Sequence, residues 1–146
     1  MISSKLKDNK DTSVTSTSCA HSIQIDWNKH ILMDLPARYL NHSCDPNVGV
    51  GGLNANGSYD FVALVDIDCD QVCIVELILL SQSAHCSNAA SNLKELRFDY
   101  ETTEYEIGAF SKCYCGSPNC RGKVAGYNQM IRKKYGGENI ASYLLE

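Results

Sequence analysis

Three cysteines on one short stretch, Cys113-Tyr114-Cys115 and Cys120, constrain this chain more than any other feature. Tetrahedral structural zinc takes four Cys or His ligands, and this spacing offers three on one compact loop, with Gly116 and Pro118 allowing tight turns. The fourth ligand has to come from a distant part of the chain, which makes metal binding part of folding. The other reading of the trio, idle or disulfide-bridged cysteines, belongs with an oxidising compartment. The sequence carries no charged start with an adjoining apolar run of the secretory kind, and no apolar run reaches the ~20 residues that a membrane span needs. The eight cysteines are therefore expected in a soluble, intracellular protein of nucleus or cytoplasm, with no membrane partner. The glycosylation-type triplets Asn41-His42-Ser43 and Asn56-Gly57-Ser58 are discounted on the same ground.

At 146 residues the chain is one domain's worth of sequence, enough for a modest core and small for an enzyme. Its net charge of −4 argues against a broad nucleic-acid footprint and suits a basic protein or peptide substrate. Residues 1–20 are rich in Ser, Thr, Lys and Asp with scattered apolar residues, the composition of a disordered segment. The alternation of Ile23, Ile25 and Trp27 reads as a strand, and residues 30–33 as a second one after a turn over 26–29. Trp27, His21 and His30 are taken as half-buried strand positions. A further hairpin is expected where Val48 and Val50 alternate with glycines, residues 51–57 supply turn chemistry, and residues 59–67 are rich in strand formers. The chain is thus mainly β. Residues 72–80 are nearly continuous apolar, and periodicity does not choose between strand and helix there. Past Gly122, Met130, Ile131, Tyr135, Ile140, Tyr143 and Leu144 surround a Gly136-Gly137 break, as two short amphipathic helices would.

Between these stretches lies a dense polar run, Arg38-Tyr39-Leu40-Asn41-His42-Ser43-Cys44-Asp45-Pro46-Asn47. Asn41 and His42 are costly to bury unless a protein or ligand partner satisfies them. Pro46 stops a helix and favours an extended Asp45, so the run is expected on an irregular loop. The Asn-His-Ser-Cys-Asp-Pro-Asn run resembles a signature of SET-domain protein-lysine methyltransferases. Leu96-Arg97-Phe98-Asp99-Tyr100 resembles the same family's tyrosine-bearing segment, and the cysteine trio its post-SET zinc motif. Three motifs in the right order, covering roughly residues 21–127, make the resemblance far safer than any one of them.

The resemblance implies a SET-type β-clip fold, with residues 38–44 and 96–106 threading past one another in a pseudoknot, a small post-SET zinc loop and short C-terminal helices. It divides the chain into a partial SET domain over 21–106, a zinc motif over 111–127 and a helical tail over 128–146. It makes Cys44 the fourth zinc ligand beside Cys113, Cys115 and Cys120. Asn41, His42 and Arg38 become contacts for S-adenosylmethionine, Tyr100 becomes the catalytic residue, and a histone tail is a possible substrate. The family's opening Gly-x-Gly loop, which helps to hold the cofactor, has no counterpart here, so the domain reads as N-terminally incomplete. Deleting residues 72–94 restores the family's spacing between Asp66-Ile67 and the Leu96 run. That segment therefore reads as an atypical insertion, of the kind a retained in-frame intron leaves: Val72-Cys73 suits an intron start and Ser87-Asn88 a branch point. Two other readings stand beside the enzyme. One is a zinc-stabilised module that kept a peptide groove and lost the cofactor. The other, a zinc-knuckle nucleic-acid binder, is opposed by the acidic balance.

Overall fold

The computed structural model describes residues 2–3, 16, 19–55, 57–67, 95–108, 111–127 and 139–146. The apolar segment and atypical insertion over 72–94, most of the expected disordered N-terminus, and tail residues Met130, Ile131 and Tyr135 lie outside the described residues.

Strands dominate the rest. β1 spans Ile2–Ser3, β2 Ser22–Asp26, β3 Lys29–Leu32, β4 Asn41–His42, β5 Val48–Leu53, β6 Tyr59–Ala63 and β7 Arg97–Phe98. Three short 3-10 turns accompany them: η1 over Ala37–Tyr39, η2 over Tyr100–Thr102 and η3 over Ser142–Leu144. β2 and β3 form the expected hairpin, pairing Ile23 with Ile31 and Gln24 with His30. Its turn is set by Asp26, whose carboxylate accepts the Trp27 N–H at 2.8 Å and pairs with Lys29 at 2.8 Å. Two strand assignments need correcting. Trp27 and His21 sit in turns outside the ladder, and Trp27 is 48% exposed. The Asp26 contacts close the chain one residue before the apolar alternation ends. His30 is fully inside, on β3.

β5 and β6 make the second hairpin, with Val50 opposite Phe61 and Leu53 opposite Tyr59, and β1 adds to the free edge of β6. Asn54 closes its turn by accepting the Ser58 N–H on its side chain, while Gly57 takes a left-handed φ of 74° that suits glycine. Gly49 has a different task. A Cβ there would come within 2.9 Å of the Asn139 side chain and 2.8 Å of Leu64, so the glycine lets the C-terminal segment lie against the strand. Ile140, Ala141, Tyr143 and Leu144 of that segment are buried, and Ala141 donates to the Thr102 carbonyl at 2.8 Å. Within 139–146 the chain is a single 3-10 turn with no α-helix, anchored by these contacts to the core.

The core, with Ile23, Ile31, Val50, Phe61, Phe98 and Tyr143 among its members, joins both hairpins to the C-terminal segment. Against it lies a third sheet of two residues per strand, in which β4 runs parallel to β7 and pairs Asn41 with Arg97 and His42 with Phe98. Asn41 and His42 are thus in a strand and not on the expected loop, because their backbone finds ladder partners before Pro46 removes a donor. Asn47 prolongs the pairing by imitation. Its backbone N–H donates to the Arg97 carbonyl at 3.2 Å, and its side chain accepts the Arg97 N–H at 2.8 Å and donates to the Glu95 carbonyl at 2.9 Å.

Candidate metal centre and adjoining clefts

The short parallel pair carries Cys44 into the cysteine loop. The Sγ atoms of Cys44, Cys113, Cys115 and Cys120 all lie within 4.8 Å of one another, and those of Cys44 and Cys113 are 3.7 Å apart. A disulfide needs about 2.05 Å, and none of these four cysteines is in one. A tetrahedron of sulfurs around zinc at about 2.3 Å has edges of about 3.8 Å, which the Cys44–Cys113 separation matches, with the other pairs within 4.8 Å. Backbone donors aim at the sulfurs as they do at thiolates: Arg121 N–H reaches Cys44 and Gly122 N–H reaches Cys120, each at 3.4 Å. Left-handed Gly116 and Gly122, at φ 71° and 72°, fold the loop tightly enough to allow this. Burial pushes the Cys44 thiol up and Cys113 up to about 12. Burial acts on Cys115 in the same sense, but hydrogen bonds led by the Ser117 hydroxyl outweigh it and bring that thiol down to about 5. A bound dication would hold all four as thiolates.

Beside the cluster, Asn41, His42 and Tyr100 line one cleft together with Glu95, Arg97, Lys112, Tyr114 and Val124. Asn41 donates its side-chain N–H to the Glu95 carboxylate, which also accepts Arg97 Nε at 2.7 Å. Burial opposes the charge on Glu95, yet these donors hold its carboxyl below the usual range. His42 Nδ1 accepts the Tyr100 backbone N–H at 3.3 Å and lies 3.6 Å from Asp99 Oδ1, while Nε2 is 3.5 Å from Cys44 Sγ. Arg38, grouped with these residues in the sequence, stands apart from them. It lies on η1, does not line this cleft, and gives its Nε–H to the Met33 carbonyl at 2.9 Å.

Tyr100 opens η2. Its ring lies against Phe98 at 4.8 Å and His42 at 5.3 Å, and its hydroxyl donates to the Leu40 carbonyl at 2.8 Å. Burial, helped by the charge on Glu95, pushes the phenol up to about 12. It therefore stays a neutral phenol. Tyr100 also borders a second cleft, mostly apolar, lined by Ile23, Met33, Phe98, Thr103 and Ile107 with Glu104 at its wall. It is the residue common to the two clefts among those lining them.

Two buried polar groupings have no counterpart in the sequence reading. Arg121 grips Asp99 with both terminal nitrogens, at 2.9 and 2.8 Å, and reaches Glu101 at 3.1 Å. Glu104 accepts the Gln24 N–H at 2.8 Å and lies 3.4 Å from His30 Nε2. The available signal was the presence of charges inside otherwise structural runs: Asp99 between two aromatics, Arg121 directly after Cys120.

A mainly β chain in which a polar strand pairs in parallel with the strand that leads into Tyr100, beside a four-cysteine loop, accords with a SET-type fold. No family model matches the chain, but curated relatives do. It is 29% identical over 102 residues to histone-lysine N-methyltransferase SETD2 of Homo sapiens, covering 70% of this chain and 3% of that protein. It is 30% identical over 93 residues to the H3 lysine-36 specific histone-lysine N-methyltransferase of Kluyveromyces lactis, covering 64% and 10%. A third relative, histone-lysine N-methyltransferase ASHH2 of Arabidopsis thaliana, is 29% identical over 89 residues, covering 61% and 4%. The chain is similar to the SET-domain portion of these histone-lysine methyltransferases, and it spans a small fraction of their length. No helix among the described residues is long and apolar enough to cross a membrane.

Proposed function

We propose that this chain takes part in methyl transfer from S-adenosylmethionine to lysine side chains of a basic protein, with histone tails as the substrate class and the nucleus as the place of action. The observation that carries the reading is Tyr100, shared by a polar cleft and an apolar one. S-adenosylmethionine, when bound, supplies an electrophilic methyl group on a sulfonium. Asn41 and His42 are the residues proposed to hold it in the polar cleft, whose mixture of carboxylate, amide, aromatic and aliphatic groups suits a charged nucleoside. In this reading Arg38 acts through the backbone around Met33 and not by contact. The apolar cleft suits the aliphatic stem of a lysine.

Free lysine titrates near ~10.4, so the amine has to be desolvated before it can attack. Phe98, Ile23 and Met33 provide that desolvation at the cleft wall. Tyr100 is too weakly acidic to serve as a base. With its proton committed to Leu40, its oxygen accepts an amine N–H and aligns the nitrogen lone pair with the methyl carbon. Cys44, Cys113, Cys115 and Cys120 form the proposed structural zinc site that keeps the cysteine loop beside this junction.

Calorimetric titration of the zinc-loaded chain with S-adenosylmethionine and S-adenosylhomocysteine tests the reading. Binding of both, lost on Asn41→Ala, is the expected result, with methylation of histone lysines reduced or altered in product pattern by Tyr100→Phe. A folded, zinc-loaded chain that binds neither ligand would point instead to a module that binds basic peptides. Unchanged product pattern in Tyr100→Phe would remove Tyr100 from the site.

A further inference from the structure

We propose that Arg121 is a positioning residue that couples the cysteine cluster to Tyr100, acting through Asp99 and the first turn of η2. The inference rests on the reading of Tyr100 as the residue that orients the amine. Arg121 faces both ways. Its backbone N–H donates to Cys44 Sγ at 3.4 Å, so its place depends on where the sulfurs sit. Its guanidinium forks onto the two oxygens of Asp99 and touches Glu101.

Asp99 then sets Tyr100. It precedes η2 and caps it, with Oδ1 accepting the Glu101 N–H at 3.3 Å and its carbonyl accepting the Thr102 hydroxyl at 2.7 Å. Tyr100 is the next residue, and its direction follows from that cap. A second tie runs in parallel: Glu101 accepts the Ala125 N–H at 2.9 Å, joining η2 to the segment that leaves the cysteine loop.

The charges explain why an arginine stands here. The side chains of Asp99 and Glu101 are 0% and 2% exposed. Two neighbouring carboxylates cannot both stay charged in such a place without a cation. A planar fork satisfies both Asp99 oxygens and fixes their plane, whereas a lysine would supply charge without orientation. Removing the fork frees the Asp99 carboxylate to turn, and the cap on η2 turns with it. Loss of metal acts on the same linkage from the far end, by releasing Cys44 from its three partners and with it the Arg121 backbone.

The test reads Tyr100 directly and needs neither methyl donor nor substrate. The zinc-loaded full chain is prepared with 3-fluorotyrosine, and the Tyr100 fluorine signal is assigned by its absence in Tyr100→Phe. In Arg121→Met with zinc still bound, the Tyr100 signal is expected to leave its wild-type position toward that of the chelator-treated wild type, while the signals of Tyr59 and Tyr143 stay. Arg121→Lys, with charge but no fork, gives an intermediate position. A wild-type Tyr100 signal in either zinc-loaded variant, or equal shifts in all tyrosines, overturns the proposal. Should Arg121→Met fail to fold, Arg121→Lys alone decides by the same criterion. A chain that shows this coupling but binds no cofactor would sink the methyltransferase reading and leave the coupling intact.

Discussion

The β5–β6 hairpin and the junction of β4, β7 and the cysteine loop sit side by side, yet they hold together by different physics. The hairpin is local and apolar. Val50 and Phe61 face each other across it, both nearly inaccessible to water, and burial of such side chains contributes about 1.5–3 kcal/mol each. The junction is non-local and polar. Asp99, Glu101, Ser43 and Cys44 are buried there, where each group is an expense unless its partner is in place. A region of the first kind degrades gradually when altered. A region of the second kind fails when one partner leaves, so the part of the molecule that carries the site is also its most conditional part.

For the zinc-loaded chain, the largest expected effect comes from removing that metal. Chelation, or Cys115→Ser, should lower stability by at least about 3 kcal/mol, of order 10 °C in melting temperature for a chain of this size. Amide hydrogen exchange makes the comparison sharper: residues 97–103 and 111–124 should lose protection first while β5 and β6 keep theirs. Equal loss in both regions would show that the two are one cooperative unit.

Breaking the hairpin side should cost about as much but spread differently. Phe61 is buried and meets Phe98 edge-on at 5.1 Å, so Phe61→Ala is expected to lose about 3 kcal/mol in denaturant melts. Metal stoichiometry should be unchanged in the folded variant. Zinc loss in folded Phe61→Ala would mean that the junction leans on the hairpin more than its contacts indicate.

Glu104 tests the cost of buried charge. Burial raises its carboxyl from 4.5 to about 7, with the Gln24 N–H opposing. The folded state therefore holds the proton more tightly than the unfolded one, and that stabilisation is complete below pH 4.5 and disappears as pH rises through about 7. Glu104→Gln keeps an acceptor for Gln24 without the charge. It should be about 2 kcal/mol more stable than wild type near pH 8, with the gap closing in acid. A gap that widens in acid would reverse the sign of the argument.

The smallest effect belongs to the surface. Trp27 rests its edge on Tyr105 at 5.0 Å and Tyr143 at 5.8 Å while remaining half exposed, so Trp27→Ala should cost about 1 kcal/mol or less. A larger loss in thermal melts would make this aromatic group a part of the core.

These contrasts also explain what could be read in advance. Both hairpins were legible because their information is local: alternation at Ile23 and Ile31 or Val48 and Val50, and turn chemistry from Asn54 to Gly57. The parallel pair was not legible from periodicity, since two polar residues on each side carry no period. Only the family resemblance put Asn41 and His42 near Tyr100. The cysteine trio suggested a metal site by spacing, while the joining of Cys44 to it came from the resemblance, and the four sulfurs do lie together. The partners of Arg121 and Glu104 lie in other elements, 22 and 80 residues away in the case of Asp99 and Gln24, and no local pattern marks such pairs.

The pairing of β4 with β7 has a consequence for how the chain reaches its folded state. His42 and Tyr100 are 58 residues apart along the chain, and Cys44 and Cys113 are 69 apart. Loop closure on that scale has to be completed before any contact at the junction can repay it, which places the junction late in folding, after the two hairpins. The cost rises only with the logarithm of the connection, about 0.6 kcal/mol for each doubling of a flexible one. Adding or removing a stretch the size of residues 72–94 between β6 and β7 changes that cost by only about half a kcal/mol. Such a change in closure cost matters little so long as Leu96 still arrives beside Asn47.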